Sequence, residues 1–176
     1  MFKWEIDKEF HFEMGHRVWA QELNHPQLSI STECACKHLH GHSYVITVAI
    51  GSDVLDKSSM VSDFKNLNYI KEFVDNVLDH RFLIDINDPN FKLITSVTAP
   101  TSLQKQFVKL VDVIGASEDP AVKLHHDSFV LVDFVPTSEN ICRYLKEAFQ
   151  PPLDGVATIT AVDLWETKKS HCRYTG

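Results

Sequence analysis

The chain has 176 residues, 44% hydrophobic and 23% charged, which is typical of one globular domain over residues 1–176 with a sizeable core. The net charge of −7 and the lack of a basic stripe argue against a nucleic-acid partner. No apolar run approaches a membrane span, and the N-terminal residues lack a signal-peptide pattern. We therefore expect a cytoplasmic protein with no membrane partner and with its four cysteines reduced.

Alternating apolar and polar residues predict two strands in the first third of the chain, over residues 2–12 and 43–50. An apolar stripe at spacings of three and four predicts a helix over residues 63–79. Asp79 and His80 close this helix, so any chemistry that they perform takes place at a helix end.

The second half begins with a long segment, residues 88–134, in which residues 129–134 resemble a strand. Pro136–Asn140 opens a second main helix, and strands are predicted over residues 156–166 and 171–174. Pairs of strands separated by helices, without strict β-α-β alternation, predict an α+β fold with an antiparallel sheet.

A dense cluster of metal-capable side chains precedes the second strand. In an extended segment, alternate residues leave the same face, so the whole cluster would share one face. Its members are Cys34, Cys36, His38, His40 and His42.

Catalytic zinc usually has three protein ligands and one open position. His40 and His42 supply two ligands from one strand, and His16, at the end of the first strand, is the best-placed third ligand. A closed structural zinc site made by Cys34, Cys36, His40 and His42 is the alternative.

Other residues are weaker candidates when taken alone. A cysteine near a metal and a histidine can act as a base or nucleophile. Asp79 can orient His80 for proton transfer, although a histidine at a helix end more often bonds to free carbonyls. Glu166 can anchor a ligand or face solvent, and Cys142 and Cys172 are expected to be buried small hydrophobic residues.

Five segments, in order, resemble the 6-pyruvoyltetrahydropterin synthase / 6-carboxytetrahydropterin synthase family, over residues 1–87 and 135–176. The segments are Phe12–Arg17, Cys36–His42, Leu78–Leu83, Pro136–Asn140 and Trp165–Thr167. Leu78–Leu83 resembles the family's catalytic Asp-His segment, and Trp165–Thr167 resembles the segment whose glutamate binds the pterin.

This resemblance implies the tunnelling fold, a four-stranded antiparallel sheet with two helices on one face. Residues 88–134 would be an insert between the helices that the family does not usually have. In the family, trimers close a barrel and two trimers stack into a homo-hexamer, with active sites between subunits. We therefore expect a homo-hexamer here.

The resemblance also implies roles for residues. Zinc would be held by His16, His40 and His42, and the substrate would be of the 7,8-dihydroneopterin triphosphate kind. A cysteine would take a proton from the substrate side chain, and Asp79 with His80 would form the second proton-transfer group. Glu166 and Thr167 would bind the pterin, and triphosphate would leave in a zinc-dependent carbon–oxygen lyase reaction.

Two cysteines fit the role of the base. Cys36 has the spacing to His-Gly-His that resembles the queuosine-pathway enzymes, which make 6-carboxytetrahydropterin. Cys34 has the spacing that resembles the tetrahydrobiopterin-pathway enzymes, which make 6-pyruvoyltetrahydropterin. We favour Cys36 and the carboxy product, because the longer spacing of Cys34 needs a larger loop to present its thiol.

A non-enzymatic zinc and thiol redox-sensing domain is the remaining alternative.

Overall fold

The computed structural model describes residues 2–22, 25–28 and 34–176, which contain seven strands and five α-helices. The strands are β1 (Trp4–His16), β2 (His40–Ser52), β3 (Arg81–Asp85), β4 (Val108–Lys109), β5 (Phe129–Val132), β6 (Thr158–Thr167) and β7 (Ser170–Tyr174). The helices are α1 (Asn68–Phe73), α2 (Phe91–Thr95), α3 (Leu110–Ile114), α4 (Pro120–Asp127) and α5 (Ser138–Phe149).

The described strands form one hydrogen-bonded sheet in the order β4-β5-β3-β1-β2-β6-β7. The α+β class is confirmed, but the expectation of a four-stranded antiparallel sheet is wrong. Antiparallel pairing joins β2 to β6 and β6 to β7, whereas β1 pairs in parallel with β3, and β3 with β5. The three added strands are short. β5 is apolar throughout, and β3 has three consecutive apolar residues between Arg81 and Asp85, so neither strand shows the alternation of a half-exposed strand.

The chain divides into two compact units. The first consists of the residues up to Glu13, His42–Asp79 and Ser138–Gly176. In it α5 packs against β6 and β7, because Ile141, Leu145 and Phe149 recur every four residues and form one buried face. The largest fully buried side chains of this unit include Tyr44, Ile46, Ile50, Leu67, Ile70, Leu78, Ile141 and Phe149.

The predicted helix over residues 63–79 is present as three consecutive helical turns of different pitch. A 3₁₀ turn over Phe64–Leu67 leads into α1, and a π-helical turn over Val74–Leu78 follows α1. The Asp79 N–H donates to the Val74 carbonyl at 2.9 Å and closes this last turn. A π turn changes the direction in which the next side chain points, and such turns occur often at functional sites.

The second unit consists of Met14–Gly41 and His80–Thr137. Its apolar cluster is supplied almost wholly by the segment 88–134 and by β3, so this segment has a packed core of its own. Asp119 begins α4: its Oδ1 accepts from the Ala121 N–H at 2.8 Å, and Pro120 occupies the first turn. The cluster comprises Ile84, Ile86, Phe91, Leu110, Phe129 and Leu131.

Among the described residues, none of the helices combines the length and the apolar character that crossing a membrane would require.

The cluster of the second unit makes a direct stability prediction. Ile84 is 0% exposed, and Ile84→Ala should lower the free energy of unfolding by about 2–5 kcal/mol, because it removes buried methylenes and leaves a cavity. Leu93→Ala is the matched control, because Leu93 is 81% exposed and should cost less than about 0.5 kcal/mol. Urea denaturation measures both, and equal losses would contradict the assignment of the core.

Candidate functional site

Three histidines come together at the adjoining ends of two neighbouring strands. His16 is the last residue of β1, His40 is the first of β2, and His42 lies two residues further along β2. One ring nitrogen from each lies within 4.8 Å of the other two, and the rings of His16 and His40 have centroids 4.5 Å apart. His16 is fully buried, so this group has one wall inside the protein.

Backbone carbonyls set the tautomers of two of these imidazoles. The Nδ1 of His16 lies 2.8 Å from the Pro136 oxygen, and the Nδ1 of His40 lies 2.8 Å from the His38 oxygen. A carbonyl only accepts, so each Nδ1 carries the hydrogen and donates it, and in the neutral imidazole Nε2 is then the nitrogen with the lone pair that can bind a cation. Three imidazoles, two of them oriented in this way, fit a divalent metal ion with an open coordination position.

Two glycines allow the backbones to approach closely beside the histidines. A Cβ on Gly41 would lie 3.0 Å from the Met14 oxygen. A Cβ on Gly15 would lie 2.4 Å from Cδ2 of Phe82 and 3.3 Å from the His40 oxygen. The glycine of His-Gly-His therefore has a packing reason, and a glycine inside a strand pattern is the sequence signal that would have indicated it.

The segment from Cys34 to His42 is not extended throughout, so the condition under which its five metal-capable side chains would share one face is not met. Ala35–Lys37 forms a 3₁₀ turn, and the strand begins only at His40. The turn is held by the His38 N–H, which donates to the Ala35 oxygen at 2.9 Å, and by the Val18 N–H, which donates to the Cys36 oxygen at 2.8 Å. Within the described ranges, the group of side chains suited to a metal contains the three histidines and neither thiol.

Both thiols are nevertheless partly accessible. Cys34 precedes the 3₁₀ turn in an extended conformation, Cys36 lies inside the turn, and both side chains are half-buried. The turn ends three residues before His40, so both thiols are close in sequence to the histidine group.

Asp79 and His80 lie in a constrained stretch of backbone. The Oδ1 of Asp79 accepts from the Glu13 N–H at 2.9 Å, which fixes the carboxylate. His80 is exposed and has a φ of 56°, a left-handed conformation that non-glycine residues rarely adopt. Such strain is found often at functional sites, and here it turns the chain from the π-helical turn into β3.

Glu166 is half-buried near the end of β6. Its Oε1 accepts from the Tyr44 hydroxyl at 3.4 Å and lies 3.9 Å from Nε2 of His42. The carboxylate is therefore directed towards a member of the histidine group. The Thr167 hydroxyl accepts from the Lys169 N–H at 3.2 Å and thereby takes part in the turn to β7.

The cations nearest in sequence to these motifs differ in their availability. Arg17 follows His16, and its Nε lies 3.1 Å from Oδ2 of Asp88, whose side chain is fully buried. This ion pair compensates the charge of the Arg17 guanidinium. Lys37, Lys168 and Lys169 are exposed.

The chain is similar to known proteins over nearly its whole length. The profile of the family described as 6-pyruvoyl tetrahydropterin synthase matches residues 5–176. The chain is 33% identical to the 6-carboxy-5,6,7,8-tetrahydropterin synthase of Aquifex aeolicus over 182 residues, which cover 98% of each protein.

Solved structures show the same likeness. An uncharacterized protein of Wolinella succinogenes is similar with 38% identity and a TM-score of 0.88, over 98% of each chain. The 6-pyruvoyl tetrahydropterin synthase of Caenorhabditis elegans has 22% identity and a TM-score of 0.57, over 98% of this chain and 94% of that one, and shares the fold.

The four thiols should differ in reactivity. Burial raises the pKa of the Cys142 thiol, and it also raises that of Cys172, so both remain protonated at neutral pH. We expect a maleimide at neutral pH to label Cys34 and Cys36 first and Cys142 last, with peptide mass spectrometry following each site. Labelling of Cys142 as fast as of Cys36 in the folded protein would contradict this assignment.

Proposed function

Because the chain belongs to the 6-pyruvoyl tetrahydropterin synthase family, we propose that it converts 7,8-dihydroneopterin triphosphate and water to 6-carboxy-5,6,7,8-tetrahydropterin in a zinc-dependent reaction that releases triphosphate and the other two side-chain carbons as acetaldehyde. The observation that carries the proposal is the group formed by His16, His40 and His42. Full-length similarity to a 6-carboxy-5,6,7,8-tetrahydropterin synthase supports the carboxy product.

In this proposal His16, His40 and His42 hold the zinc ion. Bound zinc supplies positive charge that acidifies the substrate side chain and stabilises negative charge developing there. The carbonyls of Pro136 and His38 hold two of the imidazoles in the tautomer that the metal needs.

Glu166 and Thr167 bind the pterin. A carboxylate accepts two parallel hydrogen bonds from adjacent N–H groups, and the pterin edge offers such a pair. The half-buried position of Glu166 strengthens such bonds relative to those of a fully solvated carboxylate.

Cys36 takes the proton from the substrate side chain, and Asp79 with His80 transfers the second proton. The Glu13 N–H bonds to Asp79 and keeps that carboxylate in one position. His80 is exposed, so a substrate or solvent can reach its imidazole.

The proposal extends to the setting of the reaction. The enzyme is a carbon–oxygen lyase of the queuosine (7-deazaguanine) pathway, works in the cytoplasm, and assembles as a homo-hexamer. Its small-molecule partner is the pterin triphosphate.

A 6-pyruvoyltetrahydropterin synthase activity is the second candidate. Cys34 favours it, because this thiol directly precedes the 3₁₀ turn that contains Cys36 and, like Cys36, is half-buried. The two products differ in mass, because the carboxy product keeps one of the three side-chain carbons and the pyruvoyl product keeps all three.

Product analysis tests the proposal. The zinc-loaded protein is incubated with 7,8-dihydroneopterin triphosphate, and the products are identified by mass spectrometry. We expect triphosphate and a 6-carboxy product. A 6-pyruvoyl product would move the assignment to the second candidate, and no turnover by fully zinc-loaded protein would contradict both.

A pair of cysteine variants tests the base. Cys36→Ala should lower kcat by at least about 10²-fold, because general-base catalysis contributes about 10²–10⁴-fold. Zinc content should not change, because the histidine group contains no thiol. Cys34→Ala is the matched control and should lower kcat by less than about threefold. If Cys34→Ala is instead the inactive variant, Cys36 is not the base.

A further inference from the structure

Tyr44 is held between two aromatic rings beside the histidine group. It lies two residues after His42 on β2, so both side chains leave the same face of the strand. The Tyr44 ring is 1% exposed, stacks on Phe12 with centroids 5.3 Å apart, and meets the edge of the His42 ring at 5.5 Å. These contacts and the burial restrain the orientation of the phenol ring.

The phenol hydroxyl reaches Glu166 across the sheet. The register that pairs Val45 with Trp165 places Tyr44 opposite Glu166. The hydroxyl donates to Oε1 of Glu166 at 3.4 Å. A buried phenol usually needs a hydrogen-bond partner, and an ionised carboxylate is a strong acceptor.

The conformation of the Glu166 side chain would be less well defined without this hydrogen bond. A glutamate has three rotatable side-chain bonds, and about a quarter of this side chain is exposed, at 26%. The Oε1 of Glu166 also lies 3.9 Å from Nε2 of His42, so the carboxylate has another polar group to approach. The Tyr44 hydroxyl donates to Oε1, and a carboxylate has two oxygens with about four acceptor positions, so it can accept from more than one donor.

We propose that Tyr44 is a positioning residue, which holds the Glu166 carboxylate in the orientation that accepts the paired N–H groups of a pterin ring. This inference rests on the proposed function, because it takes Glu166 as the pterin anchor. Parallel hydrogen bonds to a flat ligand demand a fixed carboxylate plane, and a second group commonly supplies that restraint. Tyr44 acts on binding through Glu166 and takes no part in proton transfer.

Tyr44→Phe tests the inference, because it removes only the hydroxyl and keeps both ring contacts. We expect the dissociation constant for neopterin, measured by its fluorescence with zinc-loaded protein, to rise about three- to tenfold. The zinc content should equal that of the unmodified protein. With 7,8-dihydroneopterin triphosphate, KM should rise by a larger factor than kcat falls.

Tyr69→Phe is the matched control. Tyr69 is also a partly buried phenol of the same unit, and it donates to the Phe149 oxygen at 2.6 Å. Removing this hydroxyl deletes a comparable hydrogen bond far along the chain from the histidine group. It should leave the dissociation constant for neopterin unchanged, which separates a specific effect of Tyr44 from a general loss of stability.

Glu166→Ala and the double variant show whether Tyr44 acts through Glu166. We expect Glu166→Ala to weaken neopterin binding and to abolish any further effect of Tyr44→Phe. If Glu166→Ala does not weaken binding, the proposed pterin anchor is wrong, and this inference is wrong with it. If Glu166→Ala weakens binding but Tyr44→Phe does not, only this inference is wrong. An effect of Tyr44→Phe that persists in the Glu166→Ala background, or a loss of zinc, would also overturn it.

Discussion

The hydrogen bonds from two imidazoles to backbone carbonyls are the constraint on which the candidate site depends. Pro136, which supplies the carbonyl to His16, is 120 residues away in the chain, so this bond requires the second unit to be folded. The second carbonyl comes from His38, directly after the 3₁₀ turn. Together these bonds direct two nitrogen lone pairs before any metal arrives, and preorganisation of this kind lowers the entropic cost of binding.

The strands that carry the histidine group connect it with the residues that we propose bind the substrate, over short stretches of chain. β2 carries His40 and His42 and, two residues later, Tyr44, which bonds to Glu166 on β6. β1 carries His16 and, three residues earlier, Glu13, whose N–H holds Asp79. A shift of one residue in either strand would turn these side chains to the opposite face. The site therefore depends on strand register as much as on the identity of its residues.

Much of this arrangement follows from local patterns in the sequence. Alternation predicts β1, β2 and β6, and the helical stripe predicts the segment that ends at Asp79. Alternation does not predict that β3 and β5 join the sheet, because buried parallel strands do not alternate apolar and polar residues. Extrapolating the alternation of β2 back to Cys34 failed because a 3₁₀ turn interrupts it. The Pro136 carbonyl could not be foreseen, since a contact at that separation is set by tertiary folding.

X-ray absorption at the zinc edge of the loaded protein tests the central claim, a three-histidine metal centre, most directly. The account predicts nitrogen and oxygen neighbours at about 2.0–2.1 Å, multiple scattering from three imidazoles, and no sulfur. Sulfur neighbours at about 2.3 Å would contradict it. They would place Cys34 or Cys36 on the metal and indicate a closed site instead of an open one.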